Sequence, residues 1–100
     1  MSDKPILISI IVPVYNRRDE VADLLASLAC QTDTGFETVI VEDGSTVPCR
    51  DICDEYAGRL SLKYFHKSNE GRSIARNYGM QRADGDFFVF VDSDCILPPD

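Results

Sequence analysis

The sequence has no tryptophan, a single histidine, and ten basic residues against seventeen acidic ones. The resulting formal charge of −7 argues against nucleic acid as a partner, because phosphate backbones require a basic face. It leaves open a nucleotide held through a cation, since carboxylates are then the groups that grip the metal. No apolar run approaches the roughly 20 residues of a membrane helix, so no membrane segment is expected. The opening Met1-Ser2-Asp3-Lys4-Pro5 lacks the charged, apolar and small-residue regions of a signal peptide, and a cytoplasmic location is expected. A G-x-G-x-x-G turn is missing after the first apolar run, and G-x-x-x-x-G-K-[ST] occurs nowhere. These absences exclude the usual dinucleotide and P-loop phosphate cradles.

What is present is ordinary for a globular chain: 44% apolar and 27% charged residues over 100 positions. That is one domain's worth, residues 1–100, with one modest core. The four cysteines, Cys30, Cys49, Cys53 and Cys95, are expected to be reduced in such a compartment. They read as small core residues rather than zinc ligands, because Cys49 and Cys53 are not spaced C-x-x-C and no histidine is nearby.

The hydrophobic pattern alternates between two periods. Ile6 to Val14 is a β-branched apolar run and reads as a buried strand. Asn16 is placed to cap a helix whose first turn carries Asp19 and Glu20 and whose apolar stripe is Val21, Leu24, Leu25 and Leu28. Further strands are expected over Phe36 to Val41, Leu60 to Phe65 and Phe87 to Val91, the last a buried one. Helices are expected over Pro48 to Ala57 and from Asn69-Glu70-Gly71 to about Gln81, with a turn at Ala83-Asp84-Gly85-Asp86. The order β-α-β-α-β-α-β predicts a Rossmann-like α/β fold, a mostly parallel sheet covered by helices on both faces.

Ligands of such sheets bind beyond the carboxyl ends of the strands, so the residues after each strand carry the functional reading. Asp92-Ser93-Asp94 follows the fourth run. Alternate residues in extended chain point the same way, roughly 6.5–7 Å apart, so the two carboxylates can share a divalent cation that also takes substrate phosphates and water. Asp43 follows the second run and can accept a hydrogen bond from a pyrimidine N–H; it can equally cap the next helix. Tyr15 can stack on a base or fill the rim. The helix beginning at Gly71 can aim its N-terminus at phosphate, with Arg72 and Arg76 four apart on it. His66 reads as a surface strand-end residue.

Four blocks together resemble family 2 glycosyltransferases of the GT-A fold: Ser9 to Asn16, Val39 to Ser45, Asn69 to Gly79 with the pattern N-x-G-x-x-x-A-R-N-x-G, and Gly85 to Asp94 ending in D-x-D. The resemblance implies the N-terminal, nucleotide-sugar-binding part of an enzyme that transfers a sugar from a nucleotide diphosphate to an acceptor, with inversion at the anomeric carbon. UDP is the default donor nucleotide, and a glycan or lipid-linked acceptor is compatible. By the same resemblance Pro13, Tyr15, Asp43 and Asn69 hold the base, Arg76 lies near the diphosphate or sugar, Asp92 approaches the ribose and sugar and can reach the metal through water, and Asp94 binds Mn²⁺ or Mg²⁺. Family members continue well beyond this length, so the chain is expected to be truncated at its C-terminus and inactive alone. Its base would lie past Asp100, and an uncovered side near the fourth strand would favour self-association. Two alternatives remain on sequence grounds: a haloacid-dehalogenase-like phosphatase, whose D-x-D normally ends the first strand, and a non-catalytic α/β interaction module.

Overall fold

A computed structural model describes residues 7–31 and 35–91. The chain runs β1 (Ile8–Val14), α1 (Arg18–Ala29), β2 (Phe36–Asp43), α2 (Arg50–Tyr56), β3 (Leu62–Lys67), α3 (Arg72–Arg82) and β4 (Phe87–Phe90). This is the expected order. The four strands form one sheet in the order β3-β2-β1-β4, and every pairing is parallel.

The period of two along the strands decides what each face carries. Ile10, Val12, Val14 and Ile40 point to the face packed by Val21, Leu24, Leu25 and Leu28 of α1 and by the buried Cys49 and Cys53. Ile11, Val39 and Val41 point to the other face and meet Ala75 of α3. Cys49 and Cys53 are thus the core residues expected, whereas Cys30 is exposed; Cys95 lies outside the described residues. None of the described helices is long and apolar enough to cross a membrane.

Three expectations are corrected. The second strand extends two residues further, to Asp43, and the third lies over 62–67 rather than 60–65. Leu60 is retained in the turn that closes α2, its N–H bonded to the Tyr56 carbonyl at 2.9 Å. Glu42 and Asp43 then pair in register with His66 and Lys67, so all four are strand residues instead of loop residues. Second, Asn16 does not cap α1: the N-cap position is Arg17, without a side-chain cap. Third, β4 is not buried. Phe87, Phe88, Val89 and Phe90 are 60%, 41%, 43% and 44% exposed, because among the described residues β4 lies at the edge of the sheet and the helices pack on β1, β2 and β3.

Pro13 limits the described ladder between β1 and β4. The Val91 N–H donates to the Ile11 carbonyl at 3.1 Å. In a continuing parallel ladder the next donor from β1 toward β4 would be residue 13, and proline has none. Among the described residues the β1–β4 pairing accordingly ends at Ile11–Phe90, while β1–β2 runs on to Val14–Glu42.

At the opposite ends of the strands a buried carboxylate fastens the α3–β4 connection. Glu37 accepts bonds from the Ser9 hydroxyl at 2.5 Å and the Asp84 N–H at 2.6 Å, and pairs with Lys63 at 3.1 Å. The Gly85 N–H donates in turn to the Ser9 hydroxyl at 2.9 Å. Burial alone would raise the Glu37 pKa, but these donors outweigh it and hold the carboxyl below its ordinary value.

Helix α3 approaches the sheet closely at Gly79, where a Cβ would lie 2.7 Å from Ile11 Cγ2 and 3.2 Å from Val41 Cγ2. Gly79→Ala gains about 1 kcal/mol of helix propensity but forces stiff β-branched methyls apart at a cost of about 1–3 kcal/mol. The expected outcome is a net loss of up to about 2 kcal/mol in urea unfolding. A stabilised variant would contradict this packing.

Candidate functional site

The carboxyl ends of the strands gather Tyr15-Asn16 after β1, Glu42 to Ser45 around the end of β2, His66-Lys67 at the end of β3, and the loop Ser68 to Gly71 leading into α3. Val91, at the end of β4, completes the described rim. Asp92 and Asp94 lie outside the described residues.

Glu42 and Asp43 are consecutive strand residues and therefore point to opposite faces. Glu42 is fully buried. It accepts the Ser45 hydroxyl at 2.5 Å, the Cys49 N–H at 2.5 Å and the Tyr64 phenol at 3.1 Å. One carboxylate thereby fixes the start of α2, the β2–α2 loop and β3. Its charge adds to larger effects in raising two neighbours. Burial and the Glu42 carboxylate push the Tyr64 phenol up. Hydrogen bonding to Cys53, burial and Glu42 push the Cys49 thiol up, so both groups stay protonated.

Asp43 is 5% exposed and faces α3. Its two oxygens accept the backbone N–H groups of Glu70 and Gly71 at 2.9 and 3.0 Å, and the buried Lys67 ammonium lies at 3.6 Å. Asp43 thus fastens the loop that enters α3 rather than capping the next helix in sequence. The anion that Gly71 offers its N–H to is this side chain. The Asn69 amide donates to the Asp43 carbonyl at 3.0 Å, which brings these two predicted residues together. Gly44 makes the contact possible: its φ is +76, and a Cβ there would lie 2.6 Å from the Asn69 nitrogen.

The other predicted residues occupy distinct parts of the rim. Pro13 is buried in β1, in register with Val41. Tyr15 is 51% exposed and directly follows Val14, which pairs in register with Glu42. Arg76 is half-buried, with its guanidinium 5.5 Å from the centre of the Phe90 ring, toward the end of β4. Its Nε is buried and has no hydrogen-bond partner among the described residues. Arg72, one turn earlier, is exposed, and so is His66.

Sequence reasoning placed Glu42 and Lys67 at strand ends without a role of their own and read Asn16 as a helix cap. An acidic residue directly after Val39-Ile40-Val41 was the available signal for Glu42, since a charge inside an apolar strand must be hydrogen-bonded. Asn16 has φ +52 and joins two loops: its N–H donates to the Ser45 hydroxyl at 2.8 Å, and its Oδ1 accepts the Thr46 N–H at 2.9 Å. A cleft of about 430 Å³ lies beside it, lined by Arg17, Arg18, Thr46 and Val47 among others. The described residues contain no group of three or more His, Cys, Asp or Glu able to hold a metal ion.

Comparison with known proteins places this rim in context. The profile of Glycosyl transferase family 2 matches residues 9–100. An uncharacterized glycosyltransferase of Rickettsia conorii is 40% identical over 93 residues, which make up 93% of this chain and 15% of that protein. S. aureus TarS 1–349, crystallised in complex with UDP-GlcNAc, is similar with a TM-score of 0.81 at 41% identity, covering 87% of this chain and 26% of that one. The mannosyltransferase PcManGT from Pyrobaculum calidifontis, in complex with GDP-Man and Mn²⁺, gives a TM-score of 0.83 at 25% identity over 91% of this chain and 28% of that one. The chain therefore spans a minor part of the length of the proteins it matches.

Replacing Asp43 with alanine leaves two backbone donors without their acceptor, while Lys67 loses one carboxylate neighbour and keeps Glu70 and the Ser68 carbonyl. Each orphaned donor costs about 1–3 kcal/mol, so Asp43→Ala is expected to destabilise the chain by about 2–4 kcal/mol. Thermal unfolding checks this, and an unchanged midpoint would contradict this fastening.

Proposed function

The chain belongs to glycosyl transferase family 2, and on that premise we propose that it forms the donor-binding part of an enzyme transferring a sugar from a nucleotide diphosphate, UDP by default. The observation that carries the reading is the rim itself. Asp43 and Asn69 are joined at the end of β2, Tyr15 stands exposed directly after β1, and Asp92-Ser93-Asp94 follows β4. The complexes of TarS with UDP-GlcNAc and of PcManGT with GDP-Man and Mn²⁺ support it from similar proteins.

In this reading the base lies between Tyr15 and the Asp43–Asn69 pair, with Pro13 supporting the strand end beneath it. Asp43 keeps acceptor capacity for a base N–H, because each carboxylate oxygen carries two lone-pair sites and the contacts from Glu70 and Gly71 use one on each oxygen. Arg76 faces the diphosphate, and its buried, unpartnered Nε favours an anionic neighbour. Asp92 serves the ribose and sugar side. Two carboxylates spaced D-x-D suit a hard cation that keeps water and phosphate ligands, so Asp94 would hold Mn²⁺ or Mg²⁺. Such a cation offsets charge on the departing nucleotide diphosphate. Displacement is direct, with inversion at the anomeric carbon, and no residue of this chain is assigned as the base that deprotonates the acceptor. A glycan or lipid-linked acceptor remains the proposal.

Calorimetry with UDP tests this. Binding is expected to require Mn²⁺ or Mg²⁺ and to weaken at least about tenfold, or 1.4 kcal/mol, in Asp94→Ala. Asp94 is preferable to Asp43 for this purpose, because losing Asp43 also unfastens α3. Metal-independent binding, or binding indifferent to Asp94, would overturn the metal assignment; no UDP binding at all would remove the donor site.

The exposed edge of β4 supports a second proposal, pairing with another copy of the chain. Among the described residues no strand lies on the outer side of β4, and its four consecutive apolar residues form a template for strand addition. Sedimentation velocity is expected to show a concentration-dependent shift toward dimer that Val89→Lys suppresses. A monomer at all concentrations would contradict it.

A further inference from the structure

We infer that Asn16 is a positioning residue: it locks the loop after β1 to the loop after β2, so that a planar nucleotide base meets a slot already formed beside Tyr15. This rests on the donor-site reading above and adds a residue that the reading does not use.

Three features carry it. Asn16 is the one non-glycine residue with positive φ among the described residues, at +52. That conformation is disfavoured for side chains other than asparagine and aspartate, so the loop needs other contacts to hold it. Those contacts all come from the neighbouring loop. Asn16 Oδ1 accepts the Thr46 N–H at 2.9 Å, the Thr46 hydroxyl at 3.1 Å and the Val47 N–H at 3.4 Å. Finally, the Asn16 N–H donates to the Ser45 hydroxyl at 2.8 Å, and that hydroxyl donates to the Glu42 carboxylate at 2.5 Å. The chain of bonds runs from an exposed loop to a fully buried anion held by Tyr64 and the start of α2.

The consequence falls on Tyr15. It precedes Asn16 directly, and Asp43 lies two residues before Ser45, so the clamp sets the spacing of the two groups proposed to contact the base. Tyr15, a residue 51% exposed, has little packing of its own to hold it. Without the clamp, ordering Tyr15 would fall to the incoming nucleotide and weaken its apparent affinity.

Three substitutions separate acceptor from backbone. Asn16→Gly keeps the positive φ and removes the acceptor; Asn16→Asp keeps both; Asn16→Ala opposes both. UDP affinity in the presence of Mn²⁺, measured by calorimetry, is expected to fall about 5–10-fold in Asn16→Gly and further in Asn16→Ala, with Asn16→Asp restoring it to within about twofold. Because Asn16 acts through Tyr15, the Asn16→Gly effect is expected to disappear in a Tyr15→Ala background. A purely structural role would lower the thermal midpoint without this pattern. UDP binding that is indifferent to Asn16→Gly, or a loss that persists in full with Tyr15→Ala, overturns this inference alone. Absence of UDP binding in the unsubstituted chain overturns it together with the donor-site reading.

Discussion

Two neighbouring carboxylates at the end of β2 face opposite sides of the sheet, and the rest of the rim is hung from them. Glu42 reaches the face of α1 and α2, where it collects the N–H at the start of α2, a serine hydroxyl and a phenol. Asp43 reaches the face of α3, where it collects two N–H groups from the loop entering that helix. Each buried charge is costly to desolvate, and each is compensated by several directed donors. The alternation of side chains along a strand makes the division possible: two residues of sequence organise two helices on two faces.

The strand ends therefore serve different purposes. At the amino ends, the Ser9–Glu37–Lys63 cluster secures the α3–β4 connection and is far from the carboxyl rim on which the proposed donor site stands. At the carboxyl ends, Glu42 and Asp43 fix loops while leaving Tyr15 exposed. Pro13 adds the third element. By withholding a ladder donor it ends the described β1–β4 pairing before the β1–β2 pairing, at the place where the strand order reverses direction. In open α/β sheets that reversal is where ligands enter, and the D-x-D segment follows β4 at this point in the chain.

Much of the fold was legible beforehand. The alternation of short β-branched runs with helical stripes announced seven elements in order, and the apolar face of α1 followed from its period. The rim residues Tyr15, Asp43 and Asn69 were identified from their positions after strands. Their partners were not. The donors to Asp43 come from residues 27 and 28 positions away, and spacing along the chain carries no signal for such a contact. Asn16 looked like a helix cap because asparagine favours that position; it also favours positive φ, and the neighbouring loop decided between the two.

The run Phe87 to Phe90 shows the boundary most clearly. Its composition determined that it is a strand, because aromatic and β-branched residues fit a pleated backbone. Its exposure could not be read from the same residues, since burial depends on which elements lie on either side. Among the described residues the sheet order put β4 at the edge, beyond the helices that cover β1, β2 and β3. Local conformation and face are properties of a residue and its near neighbours, and these the sequence by itself determined. The partners of Glu42, Asp43 and Asn16, and the open edge of β4, depend on which distant segments are brought together, and only the tertiary structure decided them.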